Sequence, residues 1–116
     1  MREIFIKLLL FIYKNFIKSD FIRNRIKYFV GDRKIVILFN NFKINVGVKS
    51  AIEANVFFDS YNEVEVLKII EKYSSLNYSF FDVGANIGIH SLTAAATNSE
   101  ISIYSFERVV NNYNDF

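Results

Sequence analysis

The stretch from Ser79 to Glu107 constrains this chain more than any other. Its apolar period switches from that of a strand to that of a helix and back: SFFDV, the turn DVGANIG, a small-residue run ending at Thr97, then ISIYSF. The pattern predicts a strand from Ser79 to Val83, a helix from Ile87 to Thr97, and a second strand closing at Glu107. That is a β-α-β unit, whose two strands run parallel and whose crossover is right-handed. The expected class is therefore α/β.

The turn sits where the first strand ends and the helix begins. Gly84 and Gly88 let backbone approach closely, either to a ligand or to the neighbouring helix. Asn86 tolerates positive φ better than most residues. Amides at the start of such a helix open into the crevice where α/β sheets bind ligands. Taken alone, a glycine turn serves geometry in many folds. Glu107 adds to it: an acid closing the next strand, 25 residues after Asp82, can accept two hydrogen bonds from a ribose diol. Together they point to a nucleoside-containing cofactor. A dinucleotide fingerprint would read G-x-G-x-x-G, whereas here the spacing differs and Asp82 stands two residues before the first glycine. A carboxylate there is unwelcoming to a pyrophosphate and suits an ammonium or sulfonium charge, as in S-adenosylmethionine.

FFDVGANIGIHSL followed by IYSFE resembles the FkbM-type S-adenosylmethionine-dependent methyltransferases, over roughly residues 61 to 114. The resemblance implies a Rossmann-like class I fold, a seven-stranded and mostly parallel sheet. It implies that this chain, ending at NNYNDF near the start of a next helix, is a truncated front portion that is inactive alone. It implies that Asp82, Gly84, Ala85, Asn86 and Gly88 line the methionine end of the cofactor and that Glu107 holds the ribose. Glu63, 19 residues before Asp82, is a further cofactor-binding carry-over. An intact member would methylate a hydroxyl of a sugar or other small molecule. Its catalytic groups would lie on strands this sequence lacks, so no catalytic residue is assigned, and no metal is expected. Arg108 departs from the family pattern, which prefers proline there. His90, the only histidine, receives no role and no acid partner.

Three segments are expected: residues 1–33, an amphipathic helical stretch; 34–59, a hairpin and strand region; and 60–116, the start of the cofactor-binding domain. In the first, Phe5, Leu9, Ile12 and Phe16 share one helical stripe and Glu3, Lys7, Lys14 and Lys18 another. In the second, Asn40-Asn41 breaks KIVILFNNFKINVGV into two strands, and NVFFD reads as another short strand. Ser60 and Glu63 have capping-box spacing before a helix that buries Val66, Leu67, Ile70 and Tyr73.

With 116 residues, 52% of them hydrophobic, the chain can build one small core. It has no cysteine, which excludes disulfides and thiolate metal sites and suits the cytoplasm. Residues 1–34 hold nine basic and three acidic residues; the remainder holds five and nine. A basic third this size suits a solvated helix face or peripheral contact with a membrane, and no nucleic-acid partner is expected. Two rival functions stand beside the methyltransferase: a non-catalytic accessory module docking through its basic N-terminus, and a small dinucleotide-binding fragment. An uncovered edge on the parallel sheet would also allow self-association.

Overall fold

The computed structural model describes residues 1–110, a mixed α/β chain with five helices and two two-stranded sheets among them. NNYNDF, where the sequence suggests a further helix, lies outside the described residues. The chain divides into two compact units: Met1–Ile37 with Ile44–Asn62, and Leu38–Lys43 with Glu63–Phe116.

The first unit opens with α1 (Arg2–Asn15) and α2 (Asp20–Val30). The expected N-terminal helix thus breaks in two, because Ser19 caps α2, its side chain accepting from the Ile22 amide at 3.3 Å. The buried stripe of α1 is Ile6, Leu10 and Tyr13, one position along from the expected Phe5, Leu9, Ile12 and Phe16, of which none is fully buried. Apolar residues lie almost all round this helix, so periodicity alone did not single out its inner face. Tyr13 sets its ring edge-on to Phe58 at 5.2 Å, and the Arg23 guanidinium lies 4.8 Å from the same ring.

β1 (Ile35–Phe39) and β2 (Phe42–Val46) form the hairpin expected around Asn40-Asn41, with Asn40 at φ 48°. Alternation is clean: Ile35, Ile37 and Phe39 are buried, Val36 and Leu38 exposed. The expected strand at NVFFD is instead the end of a helix, α3 (Ala51–Phe57). The cause is a capping box one segment earlier than the sequence suggested. Ser50 Oγ accepts from the Glu53 amide at 3.2 Å while donating to Glu53 Oε2 at 2.9 Å. Glu53 is nearly buried, accepting from the Gly47 amide at 3.1 Å and pairing with Lys34 at 3.3 Å. Ser60 does not cap the next helix: α4 begins only after Glu63, which takes the N-cap position, and the Ser60 amide is tied back to the Asn55 carbonyl at 2.8 Å.

In the second unit α4 (Val64–Ser75) follows Glu63, which caps it without a side-chain hydrogen bond. Leu67 and Ile70 are buried as expected, but Val66 and Tyr73 are not; Ser74 takes the third inner position. A serine fits there because α4 packs closely on α5, where Asn98 Nδ2 donates to the Ser74 carbonyl at 3.1 Å. β3 (Phe80–Val83), α5 (Ile89–Thr97) and β4 (Ile103–Phe106) complete the β-α-β unit, with β3 and β4 parallel and Asp82 opposite Ser105. No helix among the described residues is long and apolar enough to cross a membrane.

Candidate functional site

The turn after β3 is built from three left-handed residues in five: Gly84 at φ 81°, Asn86 at 53° and Gly88 at 80°. A Cβ at Gly84 would meet nothing within 4 Å, so glycine is needed there for its φ and not for room. The parallel ladder runs into the turn, since the amides of Gly84 and Ala85 both donate to the Phe106 carbonyl, at 2.8 and 3.0 Å.

Glu107 closes the arrangement from the end of β4. Its Oε2 accepts from the Asn86 amide and its Oε1 from the Val109 amide, each at 2.6 Å. The Val109 amide foremost, then that of Asn86, with Arg108 beside them, hold its carboxyl below the usual carboxylate range against some desolvation. An ionised carboxylate has about four lone-pair positions. With the Arg108 amide as a third donor, one remains for a hydroxyl donor on the exposed side. There the turn and strand ends border an open recess of about 680 Å³, lined by Val83, Gly84, Phe106, Glu107 and Arg108.

Asp82 lies elsewhere. It is buried and turned toward α5, where Oδ2 accepts from the Ser91 amide at 3.1 Å and the Ser91 hydroxyl at 2.6 Å. Gly88, at the helix start, has no side chain with which to cap it. Asp82 therefore satisfies one of the orphan first-turn amides from the neighbouring strand. Ser91 has one hydroxyl proton, held by Asp82, so Ser105 donates to Ser91 across their 2.6 Å contact.

Glu63 meets His90, Oε2 to Nε2 at 3.3 Å, two residues past Gly88. The structure thus brings Gly84, Asn86 and Glu107 together at one rim, with Ala85 and Gly88 buried within the turn, Asp82 beneath it and Glu63 at the helix start. Sequence reading missed Ser91, Ser105 and the partner of His90. Only the strand register, which sets Ser105 beside Asp82, could have pointed to the serines. No group of residues among those described could hold a metal ion. No protein-family model, no curated protein and no solved structure matches this chain.

Proposed function

We propose that residues 63–110 form the cofactor-binding start of an S-adenosylmethionine-dependent methyltransferase domain with a Rossmann-like sheet, as the FkbM resemblance implies. The bond between Asn86 and Glu107 carries this reading: it sets a charged acceptor beside a left-handed glycine turn at the carboxyl ends of two parallel strands. The remaining lone pair of Glu107 suits a ribose hydroxyl, and the recess next to it is large enough for a nucleoside. The bound cofactor supplies an electrophilic sulfonium methyl group. The acceptor is a sugar or other small-molecule hydroxyl, and the setting is the cytoplasm. Asp82, with Oδ1 not engaged by Ser91, contributes negative charge beneath the methionine end, and Glu63 closes that end from α4.

Saturation-transfer NMR with S-adenosylhomocysteine tests the reading. Ribose protons should show transfer that Glu107→Ala abolishes, and NAD should show none. Transfer from NAD alone, or an adenosine signal indifferent to Glu107→Ala, would overturn it.

One observation favours a second reading, an accessory role at an anionic membrane surface. Ile4, Leu8 and Phe11 form an exposed apolar stripe along α1, with Lys7 and Lys14 on the same helix. Co-sedimentation with phosphatidylserine vesicles, lost in Leu8→Glu, would support it.

A further inference from the structure

A second recess lies in the same unit as the glycine turn, at the other end of its helices. It holds about 580 Å³ and is bordered by the hairpin tip, Asn40 to Phe42, by α4 from Lys68 to Ser75 and by α5 from Thr93 to Thr97. Thr97 on its wall closes α5, about 12 Å along the axis from Ile89 at the helix start. The recess is therefore separate from the proposed cofactor rim.

Its polar groups are of both kinds. Ser75, Thr93 and Thr97 each donate their single hydroxyl proton to a carbonyl of their own helix, at 2.6, 2.8 and 2.8 Å. Thr93 is buried, and the oxygens of the exposed Ser75 and Thr97 are left as acceptors. The carboxamides of Asn40 and Asn41, on exposed residues at the hairpin tip, donate and accept. Lys72 brings an ammonium that makes no ion pair among the described residues, and the half-buried ring of Phe42 adds an apolar wall.

The charge balance decides against an anion. Both helices turn their carboxyl ends, with their partial negative charge, toward this region. Glu71 adds a full negative charge, and Lys68 is already paired with Glu65 at 2.8 Å. The lysines offset this field and leave little over for a phosphate. Mixed donors and acceptors around one aromatic ring, without net attraction for charge, match a polyhydroxylated ring.

We propose that this recess binds a neutral saccharide, independently of the glycine turn. The test is retention of the full chain on beads bearing glucose, galactose or N-acetylglucosamine. The chain should be retained on at least one and eluted by that free sugar, but not by phosphate or S-adenosylhomocysteine. Asn41→Ala and Lys72→Gln, both at exposed positions, should each weaken retention by about tenfold, the loss of one or two hydrogen bonds. Failure to bind any of the three sugars would overturn the proposal. So would elution by phosphate, which would make the site anionic, or by S-adenosylhomocysteine, which would make the two recesses one site.

Discussion

The backbone amide of Asn86 donates to Glu107 Oε2 across 2.6 Å, joining the left-handed turn after β3 to the residue that closes β4. The carboxylate thus keeps the turn in shape while still offering a lone pair to the recess. Its role in shaping the turn can be measured without any ligand.

Acidification should release this bond. Because the folded pKa of Glu107 is lowered, its stabilising contribution is complete above the unfolded value, about 4.3, and is lost as pH falls through the lower folded value. Protection of the Asn86 and Val109 amides, taken relative to intrinsic exchange at each pH, should fall in that acidic window and show no such dependence in Glu107→Gln. Equal pH profiles in the two proteins would remove Glu107 as the group that holds the turn.

Ser91→Ala should destabilise the chain by about 1–3 kcal/mol, since the buried Asp82 loses its hydroxyl donor. Ser105→Ala should cost less, because Ser91 keeps its bond to Asp82. Urea unfolding of both variants gives the comparison. An order reversed from this one would mean that Ser105, not Ser91, is the group Asp82 depends on.

Gly84→Ala should cost about 1–2 kcal/mol through its φ alone. Gly84→Asn should recover part of that, as asparagine visits the left-handed region more readily. A loss of several kcal/mol for alanine would point to a steric contact that the open space around Gly84 does not contain. Thermal melts would rank the three proteins.

Self-association should follow from one face of the β3–β4 sheet. Phe81, Val83, Tyr104 and Phe106 lie side by side in register and stay exposed, Val83 at 83%, with the Phe81 and Tyr104 rings stacked at 4.7 Å. Parallel strands are ordinarily covered on both faces. Size-exclusion chromatography should show oligomers that grow with concentration and diminish in Val83→Lys. A concentration-independent monomer with a sharp melt above about 60 °C, the upper range for mesophilic domains, would refute this expectation.

Local chemistry made much of this protein legible from its residues alone. The β-α-β unit follows from a change of period that few other structures produce, and the hairpin from an Asn-Asn pair whose first member adopts positive φ. Gly84, Asn86 and Gly88 announce a left-handed turn because only such residues occupy one cheaply. Contacts between distant residues lay beyond that reading. Ser50 and Ser60 carry the same S-x-x-E signature, and Ser50 alone forms the box, because Gly47 and Lys34 also converge on Glu53 while Ser60 is held by Asn55. Residues 55–59 became the end of a helix and its exit for that reason. On α1, where apolar residues lie on every side but the charged stripe, packing selected Ile6, Leu10 and Tyr13. Asp82 has the spacing of a ligand residue and the surroundings of a helix cap, and His90 has no partner until folding brings Glu63 to it. Periodicity and turn chemistry act within a few residues and so can be read along the chain. Which carboxylate meets which amide depends on strand register and helix packing, and only the tertiary structure supplies those.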